Sequence, residues 1–467
     1  MAGLAAARAL RLAGMQDFAV LELEDEAGGN ARGASMAGMA HPLGAHYLPV
    51  PGDAAHEVQD LLEELGLRQR QAGRWQYDER HLCHSPQERL FLHGAWQEGL
   101  LPLQGVAPAT LAQYQRFAAL VEQARQAARW SLPALLAAHS PLQQALATLR
   151  FADWLGQNRL DDPYLRWYLD YCCRDDFGAG CATVSAWAGI HYFASRHGFQ
   201  APGGDAAPHE GVLTWPEGNG WLTRRLAAPL GERLHCGQVV LRAAQDKHGV
   251  GVEVFNSSTQ QLERWQAERL ILALPLFVAV RLLQNPPDWL AEQAGRTAYA
   301  PWLVANLHID EPLLDRKGPP PSWDNVLYGE AGSALGLGYV DAMHQSLLPV
   351  RSGTVLSYYR SLGDGADGQG TPAQGRALLL QPWSWWRDAI LQELAQAHPD
   401  LPAKTRRLDI TRYGHAMAIP RPDPLGRLPQ LPPVWGRIGF AHSDWAGYSV
   451  FEEAFTLGHL AGSRILG

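Results

Sequence analysis

The sequence is poor in charge and lacks basic clusters. Charged residues make up 18 % of the 467 residues, below the ~25 % of an average soluble domain. Lys and Arg number 39 against 47 Asp and Glu, so the formal net charge is −8. A net acidic chain without a basic patch is a poor nucleic-acid binder. Nucleic acid is therefore excluded as the expected partner.

Cysteine and long apolar runs are also scarce. The five cysteines form no CxxC pair and no Cys/His spacing typical of zinc, so neither a disulfide framework nor a structural metal is expected. The longest apolar run, Leu270–Val280, has 11 residues, too few to span a bilayer. We expect a large soluble α/β-type enzyme or binding protein, without an integral membrane segment and cytoplasmic by default.

The first thirty residues have the pattern of the second half of a dinucleotide-binding βαβ unit. Ala2–Ala13 is rich in helix formers, and Gly14 is a natural C-terminal stop. Phe18–Glu22 reads as a short apolar strand that ends in an acid, and Gly28-Gly29 then opens a loop. Helix, strand, terminal acid and paired glycines in this order are typical of nucleotide-binding units.

The residue types in this segment suit a nucleotide. Gly3 and Ala7 are small and four residues apart, which lets the helix pack close to a sheet. The start of the helix offers free N–H groups and partial positive charge to a pyrophosphate. Glu22 lies 19 residues after Gly3 and can accept hydrogen bonds from ribose hydroxyls. The paired glycines allow the backbone to approach a cofactor closely.

The C-terminal segment carries a second pattern of the same kind. Gly439–Asp444 reads as a strand that ends in an acid, and Trp445–Tyr448 as a turn. Val450–Ile465 follows as a helix with small residues at Gly458 and Gly462. Neither end is specific alone, but the two together, in this order in a chain of this length, point to one cofactor domain.

These segments resemble the flavin amine oxidase superfamily, which includes monoamine and polyamine oxidases, protoporphyrinogen oxidase and phytoene desaturases. The segments that carry the resemblance are Gly3–Ala7, Val20–Glu22, Gly28–Arg32, Trp215–Gly220 and Gly439–Tyr448. The resemblance implies an α/β fold with FAD as cofactor. It implies a Rossmann-type FAD-binding domain made of residues 1–53, 205–280 and 430–467. An α+β substrate domain would comprise residues 54–204, mostly a large helical insertion, and 281–429, which contain a sheet.

Family members begin with a strand and a G-x-G-x-x-G turn, of which Gly3 matches the third glycine. We therefore expect the FAD-binding domain to be N-terminally truncated in this sequence. A segment of about ten or more residues upstream of Met1 would carry the strand and the other glycines. The alternative is a short protein that has lost the strand. Export of a longer precursor also stays open.

The resemblance also assigns FAD contacts along the chain. Gly44-Ala45-His46-Tyr47 resembles the loop beneath the flavin ring, the strand near Val240 would touch the adenine through its backbone, and Asp444 would bind the ribityl chain. The family usually has Arg directly after the two glycines, where this sequence has Asn30, with Arg32 two residues further on. The implied cofactor-binding residues are Gly3, Glu22, Gly28, Gly29, Arg32, Gly44, Ala45, Val240, Asp444 and Tyr448.

A flavin oxidase moves a hydride equivalent from a substrate C–H bond to flavin N5. Amine oxidases commonly carry a Lys near N5, but the matching stretch Pro301–His308 contains none. They also often hold the substrate nitrogen between two aromatic rings. Tyr448 is the candidate for one wall, and Tyr413 or His415 for the other, with Trp445 completing the pocket. The alternative for Tyr413, which its place in a strand favours, is a packed strand residue.

Three functions stay open at this point. The first is an FAD-dependent oxidoreductase acting on an amine. The second is a desaturase or oxidase of an isoprenoid- or porphyrin-like apolar substrate, favoured by the missing Lys and an aromatic-rich helical region. The third is a flavoprotein-like scaffold that no longer binds FAD. The expected partner is a small-molecule substrate, and the oligomeric state is left open. The run Arg174-Asp175-Asp176 fits an acid/base or metal site, or a helix end tied by an ion pair.

Overall fold

The computed structural model describes residues 1–196, 198–203, 211–329, 336–348, 353–365 and 368–466. Its fourteen described α-helices are α1 (Ala2–Leu12), α2 (His56–Glu64), α3 (Pro108–Ala127), α4 (Pro141–Ala147), α5 (Phe151–Gln157), α6 (Pro163–Phe177), α7 (Ala186–Ala194), α8 (Gly220–Ala227), α9 (Leu276–Leu282), α10 (Asp288–Arg296), α11 (Pro372–Leu379), α12 (Trp383–Leu394), α13 (Leu401–Lys404) and α14 (Phe451–Leu466).

The strands of the described residues fall into seven sheets. In chain order they are β1 (Val20–Leu21), β2 (Gly33–Met36), β3 (Met39–Pro42), β4 (Tyr47–Pro49), β5 (Arg68–Gln71), β6 (Arg74–Tyr77), β7 (Glu88–Leu92), β8 (Ala95–Glu98), β9 (Val212–Thr214), β10 (Leu234–His235), β11 (Gln238–Gln245), β12 (Val250–Asn256), β13 (Gln261–Ala267), β14 (Leu270–Leu272), β15 (Ala298–Ile309), β16 (Asp324–Leu327), β17 (Tyr339–Asp341), β18 (Thr354–Ser361), β19 (Thr405–Ile419) and β20 (Ile438–Phe440).

Short parallel strands mark the half of the molecule that contains both chain ends. β1 pairs in parallel with β10, and β14 pairs in parallel with β20. Helices α1 and α14 pack together through glycine: a Cβ on Gly462 would lie 2.6 Å from the carbonyl oxygen of Ala6, and one on Gly458 would overlap that of Ala2. The small residues noted in the C-terminal helix therefore serve this contact.

One large sheet organises the other half, with strand order β19-β15-β18-β17-β16-β7-β8. Only the β16–β7 pair is parallel. The side chains of the seven-stranded sheet alternate between two apolar cores, as strand geometry requires. Trp302 and Val304 of β15 belong to the core shared with helices α3–α7, whereas Leu303 and Ala305 pack with α12. The first of these faces, together with Asn306, looks toward the site described below.

Residues 54–204 contain two hairpins besides the helices α2–α7. β5 pairs with β6 and β7 pairs with β8, in each case across a two-residue turn that ends in glycine. Both turn residues have positive φ, at Ala72 and Gly73 and again at His93 and Gly94, which matches the twist of a tight hairpin. The second hairpin completes the seven-stranded sheet. In the sequence, these hairpins are indicated by a residue pair that ends in glycine between two short strands of mixed polar and apolar residues.

The segment Leu142–Leu155 spans parts of α4 and α5 with a break between them. The segment Gln381–Ala397 contains α12, which begins after Pro382. The segment Gly363–Gly375 includes two residues outside the described part, and α11 begins at Pro372. Among the described residues, no helix combines the length and apolar character needed to cross a membrane.

Candidate cofactor and substrate site

Three loops meet beside the parallel strands: residues 28–33, residues 42–47 and residues 215–220. The Ala45 N–H donates to the Asn30 carbonyl at 2.8 Å, and the Leu43 N–H donates to the Arg32 carbonyl at 3.0 Å. On the other side, the Asn219 N–H donates to the Ala45 carbonyl at 3.0 Å. Backbone hydrogen bonds thus join the three loops, and the 42–47 loop lies in the middle.

Glycine is required where these loops touch. A Cβ on Gly44 would overlap the carbonyl oxygen of Asn30, and one on Gly33 would lie 2.6 Å from the carbonyl oxygen of Glu217. Gly218 combines a φ of +60° with a Cβ position 2.8 Å from the Ala45 carbonyl oxygen. Such distances leave no room for a side chain, so these three glycines set the spacing of the loops.

The acid at the end of β1 is placed where the sequence pattern requires it. The Glu22 N–H donates to His235, and its carbonyl accepts from the Gln238 N–H, both at 2.8 Å. Its half-buried side chain accepts a local bond from the Glu24 N–H at 3.1 Å. Val240 lies two residues beyond Gln238 on the neighbouring strand β11. Glu22, directly after β1, and Val240, on β11, therefore lie on adjacent elements.

Arg32 is not free in this arrangement. Its guanidinium lies 3.3 Å from the Glu24 carboxylate and 3.6 Å from that of Asp25. Its Nε also donates to the Gly29 carbonyl at 3.3 Å. Arg32 would therefore have to give up its ion pairs with these exposed acids in order to contact a phosphate.

The described residues fit a dinucleotide cofactor. The acid after β1, the start of α1 packed on Ala273 through Gly3, and the glycine-spaced loops together form a cradle. In addition, Asn219 is buried beside the 42–47 loop, and its Oδ1 atom has no hydrogen-bond partner among the described residues. The individual FAD contacts expected from the sequence, those of Gly28, Gly29 and Ala45 included, stay predictions.

Asp444 has a complete set of protein partners. It is 1 % exposed and accepts from the Leu276 N–H at 2.9 Å and from the Tyr299 hydroxyl at 2.5 Å, and its Oδ1 atom lies 3.1 Å from His442 Nδ1. Burial alone would raise the pKa of Asp444, but these partners hold it below its ordinary value. Asp444 therefore ties β20 to the start of α9, and its contact with a ribityl chain stays a prediction.

The structure does not support Tyr448 as a wall of an open pocket. Its side chain is fully buried, and its hydroxyl donates to Glu453 at 2.6 Å and lies 2.9 Å from His191 Nε2. The rings of Phe177 and Trp187 pack against it edge to face. A tyrosine so enclosed, with its hydroxyl satisfied, is a core residue that links the start of α14 to α7.

The other three residues expected to line that pocket have separate neighbours. Tyr413 donates its hydroxyl to the Leu43 carbonyl at 2.9 Å. His415 is exposed, and its ring lies 4.7 Å from that of Phe277. Trp445 packs on Phe440 at 5.8 Å. Of the three, Tyr413 and His415 lie on β19 near the loops, because the Asn30 side chain donates to the Ala416 carbonyl at 2.8 Å.

A group of residues that the sequence did not bring together as one site includes the end of the 42–47 loop. We call it the acid–aromatic cluster; it consists of His46, Tyr47, Asp175, Trp323, Asp324 and Tyr359. The His46 ring stacks on Tyr359 at 4.3 Å and lies 5.6 Å from Trp323. The Tyr47 ring meets Trp323 edge to face at 5.8 Å, and its hydroxyl reaches Asp175 at 3.5 Å.

The cluster holds carboxyl groups in a desolvated setting. Burial, and then the charge of Asp176, raise the pKa of Asp175 to about 7. Burial, Glu88 and Asp175 raise that of Asp324 well above its ordinary value. Asp176 instead pairs with Arg196 at 3.1 Å, so the ion-paired interpretation of this run holds for Asp176. Both Asp175 and Asp324 keep part of their surface open.

No sequence pattern joined these residues, because they come from four distant segments. His46 and Tyr47 follow the glycine of the 42–47 loop, Asp175 lies near the end of α6, and Trp323-Asp324 and Tyr359 come from the large sheet. Within the described residues, no group of three or more His, Cys, Asp or Glu side chains is arranged to hold a metal ion.

Comparisons with known proteins agree with this geometry. The family model described as flavin containing amine oxidoreductase matches residues 1–466. A putrescine oxidase bound to putrescine superposes with a TM-score of 0.73 at 19 % identity, covering 100 % of this chain and 96 % of that chain. A cyclohexylamine oxidase from Brevibacterium oxydans IH-35A gives 0.68 at 18 % identity, covering 99 % and 96 %.

An L-amino acid dehydrogenase from Synechocystis sp. is 28 % identical over 148 residues, which are 32 % of this chain and 29 % of that protein. This chain therefore matches less than a third of the length of that curated relative. The fold class, the FAD cofactor and the enzyme class expected from the sequence are confirmed. With a family model matched along almost its entire length, the chain belongs to the flavin-containing amine oxidoreductases and is an FAD-dependent oxidoreductase.

Proposed function

We propose that the protein oxidises a cationic amine at the acid–aromatic cluster. The observation that carries the proposal is the pair of partly open carboxyl groups, Asp175 and Asp324, set among the rings of Tyr47, Trp323 and Tyr359. A carboxylate that is desolvated by its surroundings is stabilised by a cation in contact with it. Aromatic faces attract the same cation.

The alternative of an apolar isoprenoid- or porphyrin-like substrate fits this cluster poorly. Such a ligand would complete the desolvation of Asp175 and Asp324 without supplying a charge or a hydrogen-bond donor, which is costly. Amines are also named in the two structural relatives, putrescine oxidase and cyclohexylamine oxidase, although at 18–19 % identity the likeness shows the fold alone.

The cofactor would lie across the three glycine-spaced loops, with its ribose at Glu22 and its pyrophosphate at the start of α1. When bound, FAD supplies the acceptor for a hydride equivalent from the substrate carbon. The chain's own part is to hold the amine and exclude water. Asp175, with a pKa of about 7, provides a carboxylate that can pair with the ammonium group as it enters.

Anaerobic mixing of the FAD-loaded enzyme with a panel of amines tests this, because loss of the oxidised-flavin absorbance reports substrate oxidation whatever the final electron acceptor. The panel should contain a diamine, a cyclic monoamine, an L-amino acid and an uncharged polyene. We expect bleaching with one or more amines. Bleaching by the polyene and by no amine would overturn the proposal.

Two variants connect the activity to the cluster. Asp175→Asn and Asp324→Asn should each raise the KM for the amine by about tenfold or more, because a charge-assisted contact is lost. Asp153→Asn is the control, since Asp153 makes an exposed ion pair with Arg150 on the same helical region. Unchanged KM in both cluster variants would separate the activity from this site.

A further inference from the structure

The 42–47 loop is held by the large sheet through its carbonyl groups. The Pro42 carbonyl accepts from Asn306 Nδ2 at 3.2 Å. The Leu43 carbonyl accepts from the Tyr413 hydroxyl at 2.9 Å, and the Gly44 carbonyl from the Tyr359 hydroxyl at 3.1 Å. Three successive carbonyls are therefore each bonded to a different side chain.

The three donors come from three adjacent strands and one face of the sheet. Tyr413 lies on β19, Asn306 on β15 and Tyr359 on β18, which are neighbours in that order. Cross-strand partners fix their common face: Tyr413 lies opposite Trp302, and Tyr359 lies opposite Val304. Asn306 is two residues beyond Val304 and so shares its face. We call these three side chains the strap residues.

The same stretch of loop is bonded to the cofactor half through its amides. The Leu43 and Ala45 N–H groups donate to the carbonyls of Arg32 and Asn30 in the 28–33 loop. The strand-like loop thus has one edge on the glycine loops and the other edge on the sheet. The loop lies close against the 28–33 loop, because a Cβ at Gly44 would overlap the Asn30 carbonyl.

The three hydrogen bonds that the strap residues donate to the loop, which we call the strap bonds, also have a fixed geometry. Asn306 is 1 % exposed, and its Oδ1 accepts from the Ser357 hydroxyl at 2.6 Å, which sets the orientation of its amide. Burial raises the pKa of Tyr413 to about 12 and that of Tyr359 well above its ordinary value. Both hydroxyls therefore keep their protons at neutral pH and act as donors.

We propose that Asn306, Tyr359 and Tyr413 are positioning residues that set the separation between the cofactor loops and the acid–aromatic cluster. The assignment rests on the proposed site, and it gives Tyr413 a role other than that of a wall around the substrate nitrogen. Tyr359 links the two regions directly, since its ring stacks on His46 and its hydroxyl holds Gly44. In reactions between oriented groups, a displacement of about 1 Å can cost about a hundredfold in rate.

The test removes single hydroxyl groups from the FAD-loaded enzyme. Tyr359→Phe and Tyr413→Phe each delete one strap bond and leave the ring in place. Tyr114→Phe is the matched control: Tyr114 is fully buried, and its hydroxyl donates to the Pro102 carbonyl at 2.8 Å, away from the loops. All three variants should lower Tm by similar small amounts.

The strap variants should differ from the control in the flavin itself. Without any amine present, we expect a shifted absorbance spectrum and a shifted midpoint potential for bound FAD in Tyr359→Phe and Tyr413→Phe, and wild-type values in Tyr114→Phe. With a reactive amine, the rate of flavin reduction at saturation should fall by about tenfold to a hundredfold, while KM changes less.

Two results would overturn the proposal. One is a strap variant with wild-type spectrum, potential and reduction rate but the Tm loss of the control, which would make the bonds merely structural. The other is a Tyr359→Phe/Tyr413→Phe double variant with unchanged flavin properties. If no amine reduces the wild-type enzyme, the proposed function fails, but the amine-free spectrum and potential still decide the role of the strap residues.

Discussion

The glycine-spaced loops and the acid–aromatic cluster adjoin each other but are built in opposite ways. The loops work by lacking side chains: Gly33, Gly44 and Gly218 let backbones approach to distances that no Cβ tolerates. The cluster works by crowding side chains, with rings 4.3–5.8 Å apart around Asp175. Cofactor recognition by backbone needs a fixed chain path, whereas substrate recognition by side chains can change residue by residue.

Charged side chains also have different surroundings in the two regions. Around the loops, Arg32, Glu24 and Asp25 meet near the surface, where ion pairs are weak and screened. In the cluster, burial raises the pKa values of Asp175 and Asp324. Substitutions in the loops should therefore act on folding and cofactor retention, and those in the cluster on substrate affinity and its pH dependence.

The largest effect is expected from Gly44→Ala, which tests the close approach of the loops. The new methyl group would overlap the Asn30 carbonyl. The Gly44 carbonyl is held by the Tyr359 hydroxyl, and the Asn30 carbonyl accepts from the Ala45 N–H, so relief of the overlap would strain one of these bonds. Overpacking of this kind costs about 1–3 kcal/mol or more, so Tm and the FAD content of the purified protein should both fall. Gly52→Ala is the control, because nothing lies within 4 Å of its Cβ position. Equal FAD content in the two variants would refute the assigned role of Gly44.

The sequence predicted the glycine loops well and the cluster poorly, for a physical reason. Gly28, Gly29 and Gly44 act through local backbone geometry, which a motif records. Asp175, Asp324 and Tyr359 act together only because α6 and two strands of the sheet converge, and residue type alone does not encode that. Tyr448 shows the same limit: the motif gives its place in the chain, but not that its side chain is buried in the core.

The second effect concerns the acid at the end of β1. Glu22→Ala should weaken FAD binding by about 1.5–3 kcal/mol, or roughly tenfold to a hundredfold, because hydrogen bonds to a charged acceptor are lost. Titration of the apoprotein with FAD, followed by flavin fluorescence, measures this. Glu268→Ala is the control, because Glu268 is exposed and its carboxylate lies 3.9 Å from Arg437. Similar FAD affinity in the Glu22 variant and the wild type would refute the role of Glu22.

The third effect sharpens the contrast in charge. Since the pKa of Asp175 is about 7, its ionised fraction grows as pH rises through neutrality while an alkylamine is still protonated. We expect KM for the amine to decrease over this range by severalfold, and the decrease to be absent in Asp175→Asn. A pH profile of KM that is the same in both proteins would place the titrating group elsewhere.

The smallest effect is on stability and comes from the core next to the cluster. Burial raises the pKa of Glu453 from its ordinary value of 4.5 to about 7. The folded state therefore binds a proton more tightly than the unfolded state, and stability decreases as pH rises between these two values and is level above them. Glu453→Gln keeps an acceptor for Tyr448 and removes the titration. Its free energy of unfolding should decline less steeply from pH 4.5 to 7, by at most ~1.4 kcal/mol per pH unit for one proton.

Glu64→Gln should do the opposite at lower pH, because Arg8 and Arg11 hold the pKa of Glu64 below its ordinary value against the effect of burial. Chemical denaturation at a series of pH values separates the two, and parallel curves for Glu453→Gln and the wild type would show that Glu453 does not titrate in this range.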